Sequence, residues 1–145
     1  MEFDARAGAG TDVSTDVSTD VTAFPPRPIR GVRGLYARQT GGCPCDFADV
    51  TVDFEPWEDG FVFEVAGDAV VAGHVSQEEL AGFHAALVAG MREELAEQAA
   101  GRPVAVAVVL RRTGIHEVDS RDGSFRTAGR RAVRAAFADA YGTGR

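Results

Sequence analysis

Histidine and cysteine are the side chains of this sequence best suited to catalysis or metal binding, and they are few. His116 lies in the stretch TGIHEVDS, shortly after the apolar run PVAVAVVL. An imidazole at the end of a buried strand could serve as a catalytic base, a metal ligand or a contact to another molecule. No nucleophile or partner residue that must lie beside His116 is evident, so catalysis is the least favoured role. We therefore predict that the chain is not an enzyme and has no catalytic residues.

The two cysteines, Cys43 and Cys45, are separated by a single proline. Paired zinc ligands usually have at least two residues between them, and a disulfide this close in sequence would be strained. Cys43 and Cys45 are therefore weak metal-ligand candidates, and an ordinary exposed loop is the favoured interpretation. No cofactor is expected.

Positive charge is supplied by arginine alone, and it is unevenly distributed. Residues 53–100 hold eleven acidic side chains against one arginine, whereas residues 111–145 hold eight arginines and four acids. The net charge of −7 argues against general nucleic-acid binding but leaves room for a local basic face. Arg126, Arg130 and Arg134 recur every four residues and could follow RNA phosphates, although a solvated helix face is the commoner explanation.

The elements around these residues follow the order β-β-β-α-β-α. The segment FADVTVDFEP alternates between apolar and polar residues, which predicts a half-buried strand, and the turn WEDG then predicts an antiparallel hairpin with FVFEV. Ser76 and Glu79 form a capping-box pattern at the start of the first helix. The second helix is predicted from about Ser120 to Tyr141. The fold class is therefore α+β, a two-layer sandwich with a mostly antiparallel four-stranded sheet and both helices on one face.

The two ends of the chain differ in composition. Residues 1–26 include the repeat TDVSTDVSTDV and are predicted to be a disordered tail, and residues 27–145 form the single domain expected at this length. No apolar run is long enough for a membrane span and no signal peptide is visible. A cytoplasmic protein without a membrane partner is predicted.

Two separated stretches carry a resemblance to a known family: RQTGG followed by FADVTVDFEP, and GRPVAVAVVLRRTGIHEVDSRDGSFRTAGRRAVRAAF. The first resembles the start, and the second the end, of domain IV of translation elongation factor G, which the tetracycline ribosomal-protection proteins share. The resemblance covers residues 29–141. It implies a left-handed β-α-β crossover, which is the rare hand.

The resemblance also implies a site. In the elongation factor, the histidine loop and the glycine loop form the tip that enters the decoding site of the small ribosomal subunit. Glycines allow backbone to approach a phosphate, and an imidazole can stack on a base. A non-enzymatic ribosome-binding protein with ribosomal RNA as partner is therefore predicted, and its implied contact residues are Arg38, Gln39, Thr40, Gly41, Gly42, Arg111, Arg112 and His116.

Differences from the family leave a second function open. No GxxxxGK[ST] phosphate loop occurs, so GTP binding is not expected, and CPCD stands where the family usually has a basic residue. The alternative is a protein-interaction module that no longer binds RNA. The outer face of the fourth strand is apolar where the family is polar, and a second copy or the N-terminal arm could cover it. The residues predicted for a homodimer face are Val62, Ala105, Ala107 and Val109.

Overall fold

The computed structural model describes residues 22–38, 46–117 and 119–142, and these residues form four strands and two helices. The predicted order β-β-β-α-β-α is confirmed. In chain order the elements are β1 (Ile29–Arg38), β2 (Asp46–Pro56), β3 (Gly60–Ala72), α1 (Gln77–Gln98), β4 (Ala105–Gly114) and α2 (Asp122–Tyr141).

The strands form one sheet in the order β1-β2-β4-β3. β2 pairs antiparallel with both β1 and β4, while β3 and β4 are parallel and are joined through α1. The fold is thus the predicted α+β sandwich with a mostly antiparallel sheet. The hand of the β3-α1-β4 crossover stays a prediction.

The predicted hairpin between β2 and β3 is wrong, because β4 lies between them. The short connection passes over the start of β4: the Trp57 N–H donates to the Ala105 carbonyl and the Gly60 N–H to the Val104 carbonyl, both at 2.9 Å. β4 is more apolar than β3, and its residues Val106 and Leu110 are fully buried. A central position buries such a strand better than an edge position does, and this decides the order.

The core lies between the sheet and the helices. β2 and β4 contribute Phe54 and Leu110 to it, α1 contributes Leu87 and Met91, and α2 contributes Phe125, all at 0% exposure. Side chains of this size each favour folding by about 1.5–3 kcal/mol when they leave water. No helix among residues 22–38, 46–117 and 119–142 is both long and apolar enough to cross a membrane.

The two helices run in the same direction and start at the same end of the molecule. Gly82 of α1 lies close to Asp122 at the start of α2, and Gln98 and Ala138 line one cavity at the opposite end. The predicted capping box at Ser76 is confirmed, since both of its hydrogen bonds are present. The sheet end at which both helices start also holds the candidate functional residues.

Phe24 lies in the domain and not in a tail. Its ring is fully buried and stacks on Phe137 with 4.0 Å between centroids. Its N–H donates to the Pro103 carbonyl at 2.9 Å, and its carbonyl accepts from the Ala105 N–H at 3.0 Å. Residues 22–26, which the sequence assigned to the tail, thus include a core residue, because a lone aromatic residue at the start of FPPRP (residues 24–28) has no periodicity that would reveal it. Residues 1–21 lie outside the described residues.

Candidate functional site

One end of the molecule, called the tip here, is built from the end of β1, the start of β2 and the loop after β4. Arg38 and Asp46 are partners in the β1–β2 ladder, and Asp49 is paired with Gly114 two residues before His116. A cavity of about 370 Å³ opens at the tip, lined by Ala37, Asp46, Phe47, His116 and Asp119. Of the predicted contact residues, the structure brings Arg38 and His116 to this end.

His116 is held by hydrogen bonds within its own loop. Its N–H donates to the Ser120 hydroxyl at 2.9 Å, and that hydroxyl donates to the Phe47 carbonyl at 2.7 Å. The Asp119 N–H donates to His116 Nδ1 at 3.3 Å. The same Nδ1 lies 3.5 Å from Asp119 Oδ2. The imidazole is 56% exposed and lies edge-on to the Phe47 ring, so two aromatic rings lie side by side at the tip.

Asp46, the first residue of β2, is bonded to residues at the start of α2. Its Oδ1 lies 3.1 Å from Arg121 Nε and accepts from the Ser124 hydroxyl at 3.2 Å. Arg121 is the N-cap residue of α2 and makes no side-chain capping hydrogen bond. A carboxylate beside a helix N-terminus is electrostatically favourable. Asp46 therefore offsets part of the positive potential that this helix end would offer to an anion.

Arg111 and Arg112 lie on the open face of the sheet, next to the tip, and both face carboxylates. Arg111 Nε lies 2.8 Å from Asp53 Oδ2, and Arg112 Nη1 lies 3.5 Å from Asp49 Oδ2. The register of β4 shifts at Arg111, which is bulged between its two neighbouring strands. The hydrogen bond and charge of Asp53 raise the pKa of Arg111. Asp53 therefore neutralises much of the charge of Arg111, whereas Asp49, which Arg33 binds through both carboxylate oxygens at 2.8 Å, compensates Arg112 only in part.

The arginine stripe of α2 is paired with the glutamates of α1. Arg130 lies 3.0 Å from Glu93, Arg134 lies 3.1 Å from the buried Glu94, and Arg126 also contacts Glu93. The stripe therefore joins the two helices. Sequence periodicity showed its spacing but not the acidic residues that face it.

Four predicted contact residues and both cysteines lie outside the described residues. They are Gln39, Thr40, Gly41, Gly42, Cys43 and Cys45, and their roles stay predictions. Within the parts of the chain that the structure describes, no three His, Cys, Asp or Glu side chains are grouped as a metal site would require.

The four residues of the predicted dimer face lie on β3 and β4. Val62 is 38% exposed, Ala105 and Val109 are half-buried, and Ala107 is only 8% exposed. In the neighbouring strand Glu55 is paired with Ala107, so a charged column borders this apolar strip. The exposed apolar surface is therefore smaller than the sequence pattern implied, because Ala107 is buried and Glu55 lies beside it.

Residues that sequence reasoning did not select complete the tip. Phe47 and Asp119 line the cavity, and Arg121 holds Asp46. Phe47 belongs to β2 and Asp119 and Arg121 to the loop before α2, so their convergence depends on segments that lie far apart along the chain and has no local signal.

The fold and tip define a small α+β domain that presents two loops and two helix N-termini at one end. Comparison with protein families matches residues 25–141 to the family described as Elongation factor G, domain IV. The chain belongs to this family.

Similar proteins agree with this assignment. Elongation factor G 2 of Streptomyces coelicolor is 39% identical over 121 residues, which cover 74% of this chain and 16% of that protein. Elongation factor G of Dehalococcoides mccartyi is 38% identical over 110 residues, covering 74% and 15%. A crystal structure of a Thermus thermophilus protein matches with a TM-score of 0.60 and 27% identity over 79% of this chain and 16% of that one. The chain thus spans about one sixth of these relatives.

Proposed function

We propose that this chain is a non-enzymatic, translation-associated protein that binds ribosomal RNA of the small subunit through its tip. The observation that carries the proposal is the domain IV match together with His116 and Phe47 at the end where both helices start. In this proposal the protein acts in the cytoplasm and needs neither GTP nor another cofactor.

The tip offers two kinds of contact to RNA. An exposed imidazole beside a phenyl ring suits an unstacked base, and helix N-termini together with Arg38 suit phosphates. Asp46, Glu117 and Asp119 lie at the same end and oppose phosphate binding. Binding that depends on few phosphate contacts is weak and declines as salt is added.

Co-sedimentation with purified small ribosomal subunits at low and high salt tests the proposal. Arg38→Ala removes a tip charge, and Arg27→Ala is its matched control at the opposite end, where Arg27 pairs with Asp139 at 2.8 Å. We expect Arg38→Ala and His116→Ala to weaken binding, each by about threefold to tenfold, and Arg27→Ala to leave it unchanged. Equal binding by all variants, or none by the wild type at low salt, would contradict the proposal.

The second candidate function is an interaction module that no longer binds RNA. It is favoured by the carboxylates at the tip and would use a homodimer through Val62, Ala105, Ala107 and Val109. Sedimentation equilibrium over a range of concentrations tests it: a dimer that Val62→Arg dissociates supports this function, and a monomer throughout contradicts it.

A further inference from the structure

Within the described residues β3 forms one edge of the sheet, and its pairing with β4 keeps a single register from Gly60 to Val65. Within the described residues it pairs with β4 alone. The Gly60 N–H donates to Val104, and bonds of a parallel ladder use alternate residues. The backbone amides of Phe61, Phe63 and Val65 therefore point outwards, away from β4. An edge with unpaired amides is a template for one more strand.

The exposed apolar side chains of the domain are concentrated at this edge. Of the six large hydrophobic residues that are exposed among the described ones, four are valines of β3 and a fifth is Trp57, just before it; the valines are Val62, Val65, Val70 and Val71. Beside the start of β3 lies a groove of about 310 Å³, lined by Phe61, Leu95, Ala96 and Ala99. A strand laid along the edge can place one side chain in this groove.

The charges near this edge distinguish between possible occupants. β3 and the preceding turn carry Glu58, Asp59, Glu64 and Asp68 and no basic residue. Among the described residues, Asp68 has an ion pair, at 3.5 Å from Arg111, whereas Glu64 has none. Two copies of β3 laid antiparallel would bring acidic side chains together, which is unfavourable. A segment with positive charges is complementary.

We propose that the edge of β3 binds an extended, basic segment of another protein, which adds to the sheet as a fifth strand. Basic side chains lie beside Glu64, and an apolar side chain enters the groove at Phe61, where Arg92 already stacks on the ring at 4.7 Å. This surface lies on a sheet edge and uses none of the tip residues of the proposed function, so either proposal can fail without the other.

A synthetic peptide of alternating arginine and valine tests the proposal, with a peptide carrying glutamate in place of arginine as its counterpart. We expect calorimetry to show salt-sensitive binding of the basic peptide alone. Amide hydrogen exchange should slow at Phe61, Phe63 and Val65 and stay unchanged at Val62 and Glu64, which already pair with β4.

A charge-reversal pair separates this site from general attraction to an acidic protein. Glu64→Arg should weaken binding of the basic peptide about fivefold, whereas the matched reversal Glu117→Arg at the tip should leave its affinity unchanged. Equal losses in both variants, or no change in exchange at Phe61, would overturn the proposal. Slowed exchange at Phe61 in concentrated protein without peptide would show that a second copy occupies the edge, and would overturn it too.

Discussion

Glu94 shows how a single buried charge organises the helix pair. Its side chain is 1% exposed and accepts from Arg134 at 3.1 Å and Gln98 at 2.7 Å, with Arg130 at 3.2 Å. Burial acts to raise the pKa of Glu94, but the hydrogen bonds from Arg134 and Gln98 and the two guanidiniums outweigh it, so the pKa lies below 4.5. Glu94 is therefore ionised at neutral pH and depends on its partners.

Removing Arg134 leaves part of that charge uncompensated. We expect Arg134→Ala to lower the free energy of unfolding by about 2 kcal/mol, and Arg126→Ala, which loses a more exposed pair with Glu93, to lower it by less. Urea unfolding measures both. Because protonated Glu94 does not need the guanidinium, the cost of Arg134→Ala should shrink as pH falls below 4.5. A cost that does not depend on pH would contradict this account.

His84 adds a second pH dependence, at higher pH. Burial lowers the pKa of His84 below 6.5, and its Nε2 lies 3.2 Å from the Thr113 hydroxyl. The unfolded chain takes up the proton first, so His84 contributes stability above pH 6.5 that is lost as pH falls through its folded pKa. We expect His84→Phe to reduce the change in the free energy of unfolding between about pH 7.5 and 5.5. Thermal unfolding across this pH range is the measurement. If the variant and the wild type lose stability equally with falling pH, His84 is not the source of the pH dependence.

At the scale of elements, close approach of α1 and α2 depends on glycine. A Cβ at Gly90 would overlap the Arg126 carbonyl, and one at Gly129 would overlap the Leu87 carbonyl. The two backbones therefore pack directly against each other at these points. Ion pairs of Glu93 and Glu94 with α2 lie beside this contact.

Two glycines of the same helix provide a matched test of this contact. Gly90→Ala should destabilise the protein by about 3 kcal/mol because the backbones must move apart. Gly82→Ala meets only the Asp122 carboxylate at 3.6 Å, so it should stabilise α1 by about 0.5–1 kcal/mol through higher helix propensity. Chemical denaturation compares the two variants. Similar effects of both would mean that helix propensity, and not packing, governs these positions.

At the scale of the whole molecule, the chain closes its core at the end opposite the tip. Phe24 packs edge-on against Phe54 and stacks on Phe137, while Arg102 lies over the Tyr141 ring and donates to the Thr22 carbonyl. Residues 22–26 thus cover the ends of both layers. The contacts of Phe24 and Arg102 that stabilise this end of the domain are thus far from the tip residues proposed to bind RNA.

Truncating Phe24 should therefore affect stability and leave the tip intact. We expect Phe24→Ala to cost about 3–5 kcal/mol in the free energy of unfolding. Under conditions in which the variant stays folded by circular dichroism, its co-sedimentation with small ribosomal subunits should equal that of the wild type. Loss of binding in folded protein would show that the two ends are coupled.

The sequence indicated part of the tip but not its charge balance. The structure brings Arg38 and His116 to one end of the molecule, and their role in binding stays a prediction. Arg111 and Arg112 instead face the carboxylates of Asp53 and Asp49. Cross-strand partners depend on register, and a bulge that shifts the register by one residue has no signal in a single strand.

The sequence by itself determined the order of the elements, the inward faces of β2 and β4 and the capping box at Ser76, because each of these follows from periodicity or spacing within one segment. Tertiary structure alone decided that β4 separates β2 from β3, that the arginines of α2 meet the glutamates of α1, and that Phe24 belongs to the core. These outcomes depend on which apolar surfaces are buried against each other. The free energy of that burial comes from segments far apart along the chain, so no local sequence pattern predicts it.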